Sequence, residues 1–319
     1  MMKRPFLFLA FLLLLPALSI AQYKVILDTD IDSDVDDVEA LAMLHRLADQ
    51  KNIDFLGVIV TSDDPYAALC TDAINTYFKR PNLPVGVLKE QATLKNHSKY
   101  TRQIAEEFPH RLKSHEQAQD GTALYRKLLS QSPDSSVVIV TIGHLTNLQN
   151  LLQSKADKHS SLSGKELVDR KVAKWLCMGG QFPEGKEANF YRPNPASTVY
   201  CLQVWEKPVT FAGWEIGNKI ITGGEYLKNK LSAQNPVYRA YELYNNFQGR
   251  ASWDQVAVLL LTEELGNYFE VVTDGYCQVA EDGSNQWIRG KESKHAYVRF
   301  KPSINYLEIG KLMDDMAIH

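Results

Sequence analysis

Residues 25–39 read VILDTDIDSDVDDVE. An apolar run ends there in six aspartates, Asp28, Asp30, Asp32, Asp34, Asp36 and Asp37, within ten residues. So many carboxylates repel one another unless a cation sits among them. Hard cations such as Ca²⁺ and Mg²⁺ prefer oxygen ligands. The stretch therefore reads as a metal site at the C-terminal end of a strand, where open α/β sheets keep their ligands.

Three other readings compete. A solvated acidic turn is the plainest, but Tyr23–Leu27 directly before the cluster has the character of a buried strand. A free-standing calcium loop of the EF-hand type fits the spacing Asp28, Asp30, Asp32, Asp34, Asp36, Glu39, with Val35 at its apolar position. Ser33 stands where that loop needs glycine, however, and the entering segment is strand-like. A phosphatase of the haloacid dehalogenase type also opens with an aspartate pair after a strand, but wants Thr or Val where Asp32 stands.

Working outward, apolar β-branched runs alternate with helical spacing. Val25–Leu27, Phe55–Thr61, Leu83–Leu88 and Ser136–Thr141 read as strands. Asp37–Gln50, Ala67–Phe78, Ala123–Leu129 and Leu145–Leu152 read as helices. Lys174–Met178, Val209–Phe211 and Val256–Leu265 continue the pattern. Such alternation predicts an open, mainly parallel sheet flanked by helices in one domain, residues 22–319. Polar or Gly-rich loops follow the strands at Asp28–Asp37, Ser62–Pro65, Gly143–His144, Gly179–Lys186 and Gly213–Gly217, and the site is expected among them. The tail Glu270–His319 reads as a small antiparallel β region through Val271–Val279, Gln286–Ile288 and Ala296–Phe300.

Residues 1–21 have the form of a signal peptide. Lys3 and Arg4 precede the apolar run Pro5–Ile20, and Ser19-Ile20-Ala21 suits cleavage before Gln22. Export to the periplasm or medium is the expectation. Without Lys3 and Arg4, 33 basic residues face 38 acidic ones, and no basic cluster points to nucleic acid or, after cleavage, to a membrane. Cys70, Cys177, Cys201 and Cys277 are too scattered for a zinc knuckle, and isolated buried thiols are expected.

Further motifs follow in order: Val60-Thr61-Ser62-Asp63-Asp64, Ile142-Gly143-His144-Leu145-Thr146-Asn147, Met178-Gly179-Gly180, Glu187-Ala188-Asn189-Phe190 and Trp253-Asp254-Gln255. With the aspartate opening, they resemble the inosine–uridine preferring nucleoside hydrolase family over essentially the whole of residues 22–319. The resemblance implies a calcium-dependent hydrolase that cleaves the N-glycosidic bond of ribonucleosides to ribose and free base. It implies Ca²⁺ ligands at Asp30, Asp37, Asp254 and the Ile142 carbonyl, with Asp30 doubling as general base. Asp36, Glu187 and Asn189 would hold the ribose hydroxyls, and Asp64 falls where the family has an asparagine near the sugar. Tyr238, Tyr241 and Tyr244 lie in a segment that helps cover the base in relatives, and are candidate stacking groups.

The residue types suit that chemistry. N-glycoside cleavage passes through an oxocarbenium-like state, which surrounding carboxylates stabilise. Each residue also has an ordinary alternative: Glu187 and Asn189 as loop residues, Asp254 as a helix cap, the tyrosines as packing. The chain departs from the family in three places. The aspartate cluster is two residues longer than the commonest form, Trp253 stands where many purine-cleaving members have an acidic histidine, and the loop from Met178 to Glu187 is shorter. A small-molecule ribonucleoside is the expected partner, and homo-oligomerisation stays open. The alternative from another class is a non-catalytic calcium- and ribosyl-binding protein of the same fold.

Overall fold

Period-two alternation inside the apolar runs sets the centre of the fold. Val25 and Leu27 join the core on one face of a sheet and Ile26 joins the core on the other. Val138 and Val140 oppose Val137 and Ile139 in the same way. A strand buried on both faces must be apolar throughout, which is the mark of a parallel sheet covered by helices. The structure is a computed structural model and describes residues 23–89, 97 and 100–319. The expected signal peptide lies outside the described residues.

In chain order the strands are β1 (Tyr23–Thr29), β2 (Ile53–Val60), β3 (Val85–Val87), β4 (Gln119–Asp120), β5 (Val137–Thr141), β6 (Val172–Met178), β7 (Glu184–Gly185), β8 (Val209–Ala212), β9 (Ile221–Thr222), β10 (Arg250–Ala251), β11 (Phe269–Val272), β12 (Gly275–Val279), β13 (Asn285–Arg289) and β14 (His295–Phe300). Nine form the main sheet in the order β11-β14-β8-β6-β5-β1-β2-β3-β4. All neighbours are parallel except the edge pair β11–β14. The chain moves outward from β1 through β2, β3 and β4, then returns to lay β5 on the other side of β1. That reversal opens a crevice beyond the C-terminal ends of β1 and β5, the usual ligand position in such sheets.

One sheet face carries the helices Asp36–Asp49, Trp253–Leu259 and Tyr306–Ile318, and the other carries Gly121–Gln131, Thr146–Gln153, Gly164–Lys171 and Pro195–Val204. The tail only partly matches the expected antiparallel region. β12 and β13 pair antiparallel and take in β7 as a third strand, but β14 runs parallel to β8 inside the main sheet. Residues Tyr306–Ile318 form a helix instead, because Ile309, Met313 and Ala317 recur every four residues and bury completely. The segment Val256–Leu265 likewise ends its helix at Leu259, with a short separate helix at Leu265–Tyr268. All four cysteines are buried and free. Among the described residues no helix is long and apolar enough to cross a membrane.

A buried polar knot ties the helices of the first face together. Tyr241, from the helix Pro236–Asn245, donates its hydroxyl to Glu39. Gln255 Nε2 donates to both Glu39 (3.3 Å) and Thr222 (3.0 Å). Burial, followed by the charge of Asp314, pushes the Glu39 carboxyl well above its usual pKa. Tyr241→Phe removes a donor from a buried carboxyl without changing the ring. It is expected to lower the free energy of denaturant unfolding by about 1–3 kcal/mol; an unchanged midpoint would show that the knot is not stabilising.

Candidate active site

The crevice is a cavity of about 720 Å³. Its wall contains six carboxylates, those of Asp30, Asp34, Asp36, Asp37, Glu187 and Asp254, beside Asn189, Arg192, Arg250, Trp214 and Trp253. Asp30 directly follows β1, Ile142 follows β5 and Met178 ends β6, so the ends of three adjacent strands meet there. Gly143 permits the close approach of the first two. A Cβ at that position would stand 2.7 Å from the Asp30 backbone nitrogen.

Hydrogen bonds fix the acidic floor. Thr29 donates its hydroxyl to Asp37 and accepts from the Ile31 N–H at 3.1 Å. Asp36 Oδ2 accepts from the backbone N–H groups of Trp253 (3.1 Å) and Asp254 (3.2 Å). One aspartate of the opening run thereby holds the start of a helix more than 200 residues away, and brings Asp254 in with it. Carboxylate oxygens of Asp36, Asp37 and Asp254 all lie within 4.8 Å of one another, and all three residues are buried. Asp28, the first of the run, turns away from the cavity and accepts from the Tyr125 hydroxyl at 2.8 Å and from Asn147 at 3.4 Å.

Packing carboxyls this closely strains their ionisation. Burial, with like charges adding to it, holds Asp36, Asp37 and Asp254 well above the usual carboxylate range. Burial pushes Asp30 up to about 7, with Asp34 and Asp32 adding to the rise and Arg192 opposing it. Glu187 also rises to about 7 through burial, against N–H donations from Asn189 (2.8 Å) and Gly180 (3.0 Å) that favour its charge. An all-oxygen donor set of buried carboxylates is what a hard divalent cation requires, so these residues fit one. The trio that meets in space contains Asp36 where Asp30 was expected, while Asp30 faces the same cavity. The Ile142 carbonyl, also on the wall, accepts from Asn189 Nδ2 at 3.0 Å.

Several expected site residues lie elsewhere. Asp64 is off the cavity wall, because its carboxylate accepts from the Tyr66 N–H at 3.0 Å and from the Thr101 hydroxyl and so caps local structure. Tyr241 belongs to the core knot and has no exposed surface with which to stack on a base. Tyr238 packs on Phe247, its ring centroid 4.7 Å away. Tyr244 is also off the wall, its ring 5.9 Å from the Arg250 guanidinium. The aromatic wall is instead Trp214 and Trp253, the latter donating its indole N–H to the Trp214 carbonyl at 3.0 Å. No histidine lines the cavity among the described residues. His144 is buried against Thr146 with its pKa brought down to about 4 by burial, and His97 pairs with Asp32 at 2.6 Å. Sequence reasoning passed over Arg192 and Arg250. Arg192 stands three residues beyond Asn189, just past a short helix, and that nearness in sequence was the available signal.

A family model described as inosine-uridine preferring nucleoside hydrolase matches residues 25–303. Among solved structures, an inosine-uridine preferring nucleoside hydrolase from Bacillus anthracis superposes with a TM-score of 0.69 at 16% identity, covering 93% of this chain and 99% of that one. A plant nucleoside hydrolase superposes at 0.66 and 15% identity, with coverage of 93% and 99%. The type III effector protein XopQ, solved with adenosine diphosphate ribose, superposes at 0.62 and 14% identity, with coverage of 93% and 94%. These similarities are of fold. No curated protein matches the chain in sequence.

The raised pKa values have a consequence for stability. An unfolded carboxyl titrates near 4, whereas Asp30 and Glu187 in the folded protein hold their protons to about 7. Between those limits the folded state binds more protons, so stability falls as pH rises. Calorimetry of chelator-treated protein is expected to show a melting temperature that drops from pH 4.5 to 7, and a divalent cation bound among these carboxylates would remove most of the drop. A flat profile without metal would contradict the burial of these charges.

Proposed function

The chain belongs to the inosine-uridine preferring nucleoside hydrolase family, and on that footing we propose that it is a calcium-dependent hydrolase that cleaves the N-glycosidic bond of ribonucleosides. The observation that carries the reading is Asp30 at the end of β1, facing a cavity floored by Asp36, Asp37 and Asp254 and flanked by Glu187 and Asn189. In this reading Asp30, Asp37, Asp254 and the Ile142 carbonyl hold Ca²⁺. When bound, the cation supplies positive charge that lowers the pKa of water and orients it.

The chain's own groups do the rest. Asp30 accepts the proton of the attacking water as the new C1′–O bond forms. The surrounding carboxylates favour the positive charge that develops on the ribosyl ring as the C1′–N bond breaks. Asp36 has committed Oδ2 to two backbone N–H groups and keeps Oδ1 for a ribose hydroxyl, beside Glu187 and Asn189. Trp214 and Trp253 offer the departing base a flat apolar face, but an indole N–H is not an acid at ordinary pH and cannot protonate it. We also propose that the protein is exported, a reading supported by Lys3, Arg4 and the apolar run that follows them.

The test is release of reducing sugar from a nucleoside panel in Ca²⁺. Asp30→Asn should keep the fold and lower kcat by about 10²–10⁴-fold, the usual worth of a general base. Sugar binding without any release by the wild type would instead support a non-catalytic ribosyl-binding protein. Without an enzymic acid, rate should follow how readily the base departs unaided. An activated substrate such as p-nitrophenyl riboside should outpace inosine, and inosine cleaved equally fast would mean that another group donates the proton.

A further inference from the structure

Two arginines share the cavity wall with six carboxylates, and hydrolysis of a neutral nucleoside gives them no evident work. Arg192 is exposed, and among the described residues its guanidinium has no carboxylate within ion-pair distance. It sits just past the short helix Ala188–Tyr191 that carries Asn189, so its backbone is anchored to a residue of the sugar site. Arg250, in β10, is fixed in place. Its Nε contacts both carboxylate oxygens of Asp34 at 2.8 and 2.9 Å, and Nη2 reaches the same group. Its flat face lies 5.0 Å from the Trp253 ring. Asp34 is itself held, since Tyr100 donates its hydroxyl to the Asp34 carbonyl at 2.6 Å. The aspartate loop, two residues longer than the resemblance leads one to expect, is thus what reaches across to pin Arg250. With Nε and Nη2 occupied, Nη1 has no protein acceptor among the described residues.

An uncompensated guanidinium such as that of Arg192, beside a reaction that builds positive charge on the sugar, opposes it unless the substrate brings a negative group to meet it. A guanidinium matches a phosphate in shape as well as charge. The acidic floor repels an anion at the 2′ and 3′ positions, which leaves the exocyclic 5′ arm of the sugar to carry it. We propose that Arg192 and Nη1 of Arg250 form a phosphate subsite at the mouth of the cavity, and that the preferred ligand is a ribosyl group phosphorylated at its 5′ position. This deepens the reading of the cavity as a ribosyl site and rests on it.

Calorimetry of the Ca²⁺-loaded protein with ribose, ribose 5-phosphate and inorganic phosphate tests it without requiring turnover. Ribose 5-phosphate should bind at least about 10–100-fold more tightly than ribose, the range of a single charge-assisted hydrogen bond. Inorganic phosphate alone should bind far more weakly than ribose 5-phosphate. Arg192 is exposed, so Arg192→Gln should fold normally and bring the two sugars close to parity. Arg250→Gln should do the same if Asp34 leaves the loop in place. A matching shift is expected in the ratio of kcat/KM for a 5′-nucleotide over its nucleoside. Three results overturn the proposal while leaving the ribosyl reading intact: ribose bound as tightly as its phosphate, a preference that survives Arg192→Gln, or inorganic phosphate bound as well as the sugar phosphate. Binding of neither sugar overturns both.

Discussion

Mutual repulsion of buried carboxylates is the constraint on which the rest of this structure depends. Asp36, Asp37 and Asp254 bring their oxygens within 4.8 Å of one another in a buried site, and Asp30 and Glu187 face the same space. Neither packing nor hydrogen bonding removes that repulsion. The surrounding structure fixes its geometry instead, with the Thr29 hydroxyl on Asp37 and two backbone N–H groups on Asp36. Protons or a divalent cation must supply the missing positive charge. The protein's response to pH and its fitness for N-glycosyl chemistry both follow from how that charge is met.

The sheet makes such crowding tolerable. Placing β1 and β5 side by side after the chain has travelled out to β4 and back leaves two loops to diverge at the C-terminal ends. Gly143 lets the β5 loop press against Asp30 where any side chain would collide. The third contribution arrives from far along the chain, when Asp36 holds the first N–H groups of the helix that begins at Trp253. The floor is therefore complete only where residues from both ends of the domain meet, so a contact from far along the chain completes an early motif.

How much could be read from sequence depends on distance along the chain. The aspartate run is local, and its density alone announces a cation-seeking site at a strand end. The parallel sheet was equally legible, because strands buried on both faces cannot hide their apolar character. Glu187, Asn189 and Asp254 became legible only through the order of motifs, since each taken alone is an ordinary polar residue. The tyrosines misled because helical spacing says which residues share a face and not what that face meets: Tyr241 turns to Glu39 in the core, Tyr238 to Phe247. The pairing of Asp34 with Arg250 spans 216 residues and leaves no trace in local pattern. The C-terminal helix was hidden within a stretch judged as a whole by its β-rich first part.

The four cysteines give the chain an unusual independence from its surroundings. Each is buried and unpaired, and burial raises every one of the four thiols above its usual pKa. Reaction with oxidants and disulfide exchange both need an accessible thiolate, and these groups offer almost none once folded. They fill space as small apolar side chains do. The native covalent structure is therefore the same in an oxidising compartment as in a reducing one, and maturation on either side of a membrane needs no disulfide catalyst.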